Sequence, residues 1–414
     1  MKVYMTAILS ILMFCMTQPA FADYWNQRNF LMGERAAMMG GAYTALSEDI
    51  SGTFYNPAGL AFVEETSISM ASSVYQYSNY QRTDVRASVS SDLKGNYERF
   101  NLVPSTFGIN YVLGDGMNIA VSIYQLDNCE FDSLNASSTR ILKFNLRSQS
   151  YLIGPTLAVR IGDDMAFGIS VFYHYVQSGV SITDDRVTGP GQSRTAQFQL
   201  QATSGGITPV IGFKWYMTDR WQLGIMYGVQ TIHTNGSSSF ARTFTSTAGN
   251  TPPKNLQSEG DFRLPHRMTV GLAYEIKKHF TLALDVLYYF KLNYPSDQDF
   301  NSTSSTIQGS YVEKAHFNVS LGGEIYLSKK MALRFGFFTN TSSASDKDAS
   351  ERVDVYGFTT GIGYISKGLS SGIGVITSYG ESDTQFSQVG SGARWKRLNV
   401  GLIFGGTIRF GSGK

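Results

Sequence analysis

Cysteine is scarce in this 414-residue chain, with only Cys15 and Cys129 present. Cys15 lies in an N-terminal stretch that reads as a cleavable leader. A single thiol then remains, and no intramolecular disulfide can form. Charge is sparse too: Asp, Glu, Lys and Arg make up 16% of residues, against roughly 25% in soluble domains. The formal net charge of +2 drops to +1 without Lys2, which leaves no electrostatic footing for nucleic acid. Beyond residue 22 no apolar run approaches the ~20 residues of a membrane-spanning helix. The five histidines, at 174, 233, 266, 279 and 316, show no H-E-x-x-H or comparable metal spacing. Gly189–Ser193 reads "GPGQS", not G-x-S-x-G, and falls in an expected outer loop rather than at a strand–helix elbow. The expectation is a chain with no catalytic residues, no metal and no cofactor.

What is present begins with the leader, "MKVYMTAILSILMFCMTQPAFA". Lys2 supplies a positive start, Ala7–Met16 an apolar core and Ala20-Phe21-Ala22 a cleavage site, so residues 1–22 read as a Sec signal peptide and the mature chain starts at Asp23. Aromatic residues reach 13%, and there are 42 glycines. An exported, aromatic- and glycine-rich chain without membrane helices points to an all-β surface protein.

The organising signal is alternation with period two, which sorts residues between the two faces of a strand. In Met165–Tyr175 every odd position is apolar or aromatic. Phe280–Leu292 repeats the pattern on its even positions, as do Trp221–Val229, Phe317–Leu327, Met331–Phe337 and Leu398–Phe410 in their own phases. Short turns, such as Gly114-Asp115-Gly116 and Thr218-Asp219-Arg220, alternate with longer polar segments near 80–100, 128–139, 180–196, 236–260, 296–312, 341–351 and 382–393. Six turns and seven loops join fourteen strands. An even strand count, one apolar face and alternating connection lengths describe an antiparallel transmembrane β-barrel of an outer membrane, with all short turns periplasmic. A closed barrel also satisfies every backbone group inside lipid. Trp215 and Trp221 flank one short turn, where an interfacial aromatic girdle belongs. The C-terminal "FGGTIRF" resembles the terminal-strand signal read by the barrel assembly machinery, although Gly411–Lys414 follow its last aromatic. A soluble β-sandwich or propeller is the competing architecture, and no repeat of 40–50 residues supports it.

"GERAAMMGGAYTALSEDISGTFYNPAGLA" (Gly33–Ala61) resembles the N-terminal region of the FadL/OmpP1/TodX family of outer-membrane transporters. The resemblance rests on Gly33, Arg35, Ala36, Gly40, Gly41, Ala42, Asp49, Asn56, Pro57, Ala58, Gly59 and Leu60. "LPHRMTVGLAYEI", "LALDVLYYF" and "VYGFTTGIGYISKG" resemble the family more loosely. It implies a hatch at residues 23–62 plugging a fourteen-stranded barrel at 63–414, embedded as a monomer in the outer-membrane lipid bilayer. It also implies passive transport of long-chain fatty acids or aromatic hydrocarbons, captured outside, bound in the barrel and released sideways or past the hatch. The third strand, Met117–Leu126, is the family position for a lateral opening, yet no Gly or Pro marks a kink there. A partner-binding barrel of the secretion-associated PorV kind shares the Asn-Pro-Ala corner and is the alternative, without a transported substrate.

Within that frame, Gly40, Gly41, Asn56, Pro57, Ala58 and Gly59 are the expected hatch and gating residues. The glycines allow tight backbone paths, and Pro57 fixes φ and biases Asn56 away from helix. Inward phases mix polar groups with Phe172, Met226, Leu287, Phe338 and Ile403, which suit a greasy path for an alkyl chain or ring. Lys291, Arg334 and His174 share those phases and could meet a carboxylate head group. The competing reading is that the apolar residues simply pack against the hatch. Asp285 reads as a structural partner for a barrel arginine, "SSVYQYSNY" (Ser72–Tyr80) as an outer aromatic girdle, and Cys129 as incidental, near a loop.

Overall fold

Period-two alternation becomes a closed wall of fourteen antiparallel strands. A computed structural model describes residues 25–411 apart from 86–90, 101–104, 115, 137, 248, 297–308, 347–351 and 387–390; the leader lies outside the described residues. The strands are β1 (Thr66–Val85), β2 (Ser91–Phe100, then Thr106–Gly114), β3 (Met117–Ala136), β4 (Arg140–Ile161) and β5 (Met165–Gly189). Next come β6 (Gln192–Tyr216), β7 (Trp221–Gly228, then Ile232–Ser246), β8 (Thr251–Ser258, then Arg267–Ile276) and β9 (Phe280–Tyr289). The wall ends with β10 (His316–Tyr326), β11 (Met331–Asn340), β12 (Val355–Ile365), β13 (Leu369–Phe386) and β14 (Ser391–Phe410). Each pairs with its neighbour in sequence, and β1 closes the ring on β14 from Thr66↔Phe410 to Val85↔Gly392. A separate hairpin, Leu292–Ser296 with Gly309–Glu313, stands between β9 and β10 at the outer end.

The outward phase is apolar through the membrane zone: Phe167, Ile169, Val171, Tyr173 and Tyr175 of β5 are exposed, while Ala166, Phe172 and His174 between them are buried. Trp215 and Trp221 are exposed at the periplasmic rim, where Trp221 packs on Tyr274 with ring centroids 4.9 Å apart. Phe404, Ile408 and Phe410 of the terminal strand also face outward.

Two expectations are corrected. Most of the polar segments read as long loops are strand. β3 runs to Ala136, β5 to Gly189 and β13 to Phe386, and β5 and β6 have 25 residues each, far more than the ~9–11 that cross a bilayer. Above the lipid neither face has to be apolar, so the hydrophobic period disappears from the sequence while backbone pairing continues. The alternation read through Phe280–Leu292 also breaks. β9 ends at Tyr289, Leu292 is fully buried and Lys291 is exposed, so Lys291 is not a lumen residue. Of "SSVYQYSNY", the backbone belongs to β1, and most of its side chains lie outside the described residues. Cys129 falls within β3, opposite Ser148 of β4.

Residues 25–63 lie on the inward side of the wall. At the outer end the Asn26 side-chain amide donates to the carbonyls of Asn340 (2.8 Å) and Val353 (3.1 Å). The segment then descends through two short helices, α1 (Glu34–Met38) and α2 (Gly52–Tyr55), and a 3-10 turn, Pro57–Phe62. It leaves at the opposite end, where Asn118 of β3 donates to the Val63 carbonyl at 2.8 Å, and the wall starts at Thr66.

Candidate functional site

The Asn56-Pro57 corner is fixed by its own chemistry and by the wall. Asn56 is extended (φ −167°, ψ 101°), as a residue preceding proline should be. Its Oδ1 accepts from Ala58 N at 3.2 Å and caps the 3-10 turn. Its Nδ2 donates to the carbonyls of Thr44 (2.8 Å) and Phe213 (2.9 Å), tying the corner to the segment above it and to β6. Gly40 and Gly41 have φ of 65° and 77°, the left-handed region that favours glycine. Of the six residues expected at the hatch, all are brought to this inner segment, and Pro57, Ala58 and Gly59 are buried with Asn56.

The wall offers the segment a seat of inward glycines. A Cβ on Gly168 would overlap the Pro57 backbone, one on Gly212 the Asn56 side chain, one on Gly224 the Thr44 backbone and one on Gly336 the Gly40 backbone. These four lie on different strands (β5, β6, β7 and β11), so backbone meets backbone around much of the lumen.

Charge fastens the same contact. Arg35 of α1 reaches Glu324 of β10 at 2.7 Å, Arg334 of β11 reaches Glu324 at 2.6 Å, and Arg334 also pairs with Glu34 of α1. Two acids and two arginines thus close a buried, neutral cluster. Arg334 is therefore committed to the segment and not to a ligand carboxylate. Lys214 pairs with Glu48 at 2.5 Å, and Tyr216 donates to the same carboxylate. Asp285 corrects its expectation. Its partner is not an arginine: Oδ2 accepts from Tyr43 N, Thr44 N (both 2.9 Å) and Thr44 Oγ1 (2.7 Å).

The remaining lumen candidates separate into two places. Phe338 and Ile403 line a cavity of about 30 Å³ with Leu31, Ala37 and Ile376, beneath Arg28 and Arg397. Met226 and Leu287 line a second one, also about 30 Å³, with Met32, Phe54 and Leu126, beside Arg267. Arg28 and Phe30 border both. Each has room for only a couple of waters, so no hydrophobic solute enters either one unless Phe30 and its neighbours move. Phe172 is fully buried against Tyr124, edge to face at 5.9 Å. His174 is tied to Ser150 Oγ (2.9 Å) and Thr231 Oγ1 (3.4 Å). These two act in packing and in the polar lining.

Sequence reasoning missed Arg267, although it sits inside the quoted "LPHRMTVGLAYEI". Its guanidinium lies 4.4 Å over the Phe54 ring, and its Nη2 is buried with no hydrogen-bond partner among the described residues. A basic residue on the inward phase of β8 was the available signal. The wall glycines carried a signal too, since "FGIS", "IGFK", "LGIM" and "FGFF" each put glycine on the inward phase of a strand. The bulge was invisible: pairing of β3 with β4 slips between Gln125 and Asp127 without a Gly or Pro, and Leu126 turns into the second cavity.

The outer end of the segment carries a latch. Trp25 stacks on Tyr311 of the outer hairpin at 5.4 Å. Gln27 Nε2 donates to both Glu313 oxygens (3.0 and 2.9 Å), and Tyr311 donates to Oε1 at 2.7 Å. Burial pushes the Glu313 carboxyl up to about 7. A raised carboxyl holds a proton in the docked state that it releases when exposed. The stabilisation is complete below the ordinary value of 4.5 and is lost as pH climbs through about 7. Protease cleavage of residues 25–30 in nanodiscs is expected to rise between pH 5 and 8 in the native protein. It should stay flat in Glu313→Gln.

The sequence matches the family model of outer membrane protein transport proteins (OMPP1/FadL/TodX) over residues 16–388. The fold is similar to that of a Pseudomonas aeruginosa FadL homologue (TM-score 0.66, 12% identity, 93% of this chain and 99% of that one). It is also similar to the Ralstonia pickettii toluene transporter TbuX (TM-score 0.62, 15% identity, 93% and 100%). The Pseudomonas putida toluene transporter TodX matches comparably (TM-score 0.62, 16% identity, 92% and 98%). No curated protein sequence matches the chain. The length of the family match decides the matter: this chain belongs to the OMPP1/FadL/TodX family of outer-membrane transport proteins.

Proposed function

We propose that this outer-membrane transporter of hydrophobic compounds takes long-chain fatty acids in preference to neutral aromatic hydrocarbons. The observation that carries this reading is Arg267: its Nη2 is buried with no hydrogen-bond partner among the described residues, at the edge of a cavity lined by Phe30, Met32, Phe54, Leu126, Met226 and Leu287 and, on its polar side, by Arg28, Thr44, Asp285 and Tyr289. A buried cationic donor left unsatisfied is costly, and the Asp285 carboxylate on the same cavity accepts through Oδ2 from Tyr43 and Thr44 instead, so a further anion would complete Arg267. A carboxylate attached to an alkyl chain supplies both the charge and the apolar surface.

The route follows from the same geometry. At the outer collar, Phe144, Ile182, Phe198, Phe240 and Phe244 form an apolar cluster suited to capture. Withdrawal of Phe30 joins the two cavities, and residues 25–62 act as the hatch that controls passage. Release runs sideways at the β3 bulge, where Leu126 is inverted and Asp127 accepts from Asn29 of the hatch at 3.3 Å. The solute gradient and downstream consumption supply the driving force.

The test is labelled-oleate uptake in a strain lacking its own transporter, complemented with the native chain or with Arg267→Met. Native uptake is expected, with a loss of about tenfold in the variant, the scale of one charged hydrogen bond, while toluene uptake is unchanged. No oleate uptake by the native chain overturns the reading.

A further inference from the structure

We propose that the outward face of the collar above the lipid is a binding site for the core oligosaccharide of outer-leaflet glycolipid. On this face of β4–β7 lies a shallow cavity of about 590 Å³, far larger than either lumen cavity. Its floor is Gly179, whose missing side chain leaves nothing nearer than the Leu200 carbonyl, 3.8 Å from where a Cβ would stand.

Strand register turns the polar side chains into a grid. Gln149 stands opposite Gln177, which stands opposite Thr203, and Thr203 shares a 3.0 Å hydrogen bond with Ser237. One rung further out, Arg147, Gly179, Gln201 and Ser239 are aligned across four strands. Neighbouring strands are ~4.8 Å apart, and successive outward side chains of one strand ~6.7 Å. This presents rows of neutral amide and hydroxyl donors and acceptors at a pitch suited to the hydroxyls of sugar rings. Arg147 is paired with Glu130 at 3.0 Å, so the face has little net charge to offer a phosphate.

Position identifies the occupant. The grid continues the phase that faces lipid: on β5, Val171, Tyr173 and Tyr175 are exposed to the membrane, and Gln177 is the next outward residue. Tyr175 stands opposite Tyr151 of β4, so an aromatic border separates the apolar belt from the polar face. What meets a barrel wall directly above its aromatic girdle is the head-group layer of the same leaflet. Only a glycolipid with several sugars rises high enough to cover rows that reach Ser181. A protein partner is disfavoured because its interface would want buried aromatic or aliphatic anchors, and the outward side chains lining this cavity are polar, with Ile141 and Val187 exposed only further out.

The test uses the full-length protein in phospholipid bicelles, with rough-form lipopolysaccharide, lipid A without core sugars, and phosphatidylglycerol as probes. Core-bearing glycolipid is expected to bind the native protein best. Gln177→Ala/Gln201→Ala should weaken that binding about tenfold, the sum of two lost neutral hydrogen bonds, and Gly179→Leu should do the same by filling the floor. Heat-modifiable migration checks that each barrel is folded, and oleate uptake should be unchanged. Equal affinity for lipid A and core-bearing glycolipid, no preference over phosphatidylglycerol, or folded variants that bind like the native protein would each overturn the proposal.

Discussion

Deleting residues 25–62 is expected to leave a barrel that assembles, reaches the outer membrane and leaks. Assembly should survive because the ring closes by β1–β14 pairing, which uses none of the deleted residues. The terminal strand is also untouched. Leakage follows from what the segment fills: Met32, Met38, Met39, Tyr43 and Leu60 are all almost fully buried inside the wall. Without them the inward phase is left with Asn110, Asn118, Ser122, Ser170 and Asn318, which would line a wet channel. The measurements are antibiotic susceptibility, expected to rise several-fold for small polar drugs, and planar-bilayer conductance, expected to pass from silent to open. A point variant gives the same answer without deletion. Gly212→Leu would push its side chain into Asn56, Pro57 and Ala58, forcing the corner off the wall while leaving the strand pairing of β6 intact. Unchanged permeability in both proteins would show that the segment does not plug the lumen.

How legible this was in the sequence depends on which physical constraint wrote each part. Lipid imposes a strict rule, apolar outside and paired throughout, so membrane-zone strands such as Met165–Tyr175 could be read residue by residue, and the count of fourteen followed. Water imposes no such rule. The collar strands therefore looked like loops, and the phase change after Tyr289 that exposes Lys291 and buries Leu292 went unseen. The contacts of residues 25–63 with the wall show the same division. Asn56 and Pro57 signal their corner through local backbone chemistry. The Glu34–Arg334–Glu324–Arg35 cluster joins residues some 300 positions apart, and nothing in either stretch names its partner. Arg334 consequently looked available to a ligand, while Arg267, which does keep one buried nitrogen without a hydrogen-bond partner among the described residues, looked like part of a family match.

That cluster also sets the second large expectation, because it holds α1 to the wall with charges that cannot be left unmatched. Glu324 has no exposed side-chain surface and serves two arginines at once. Glu324→Ala would leave Arg35 and Arg334 facing each other with only Glu34 between them. Removing one member of a buried ionic set costs about 3–5 kcal/mol, mostly from the charge left behind. The expected result is release of α1 and of the turn at Gly40, read as faster hydrogen exchange at residues 34–42, together with a leak approaching that of the deletion. The charge-balanced pair Arg35→Met/Glu324→Leu is the discriminating control. It removes one cation and one anion and keeps the Arg334–Glu34 pair, so it should recover most of the loss, in line with apolar replacement of buried ion pairs being near neutral. If the double variant is as leaky as Glu324→Ala, the cluster acts through specific geometry. Recovery means that charge balance alone keeps the segment seated.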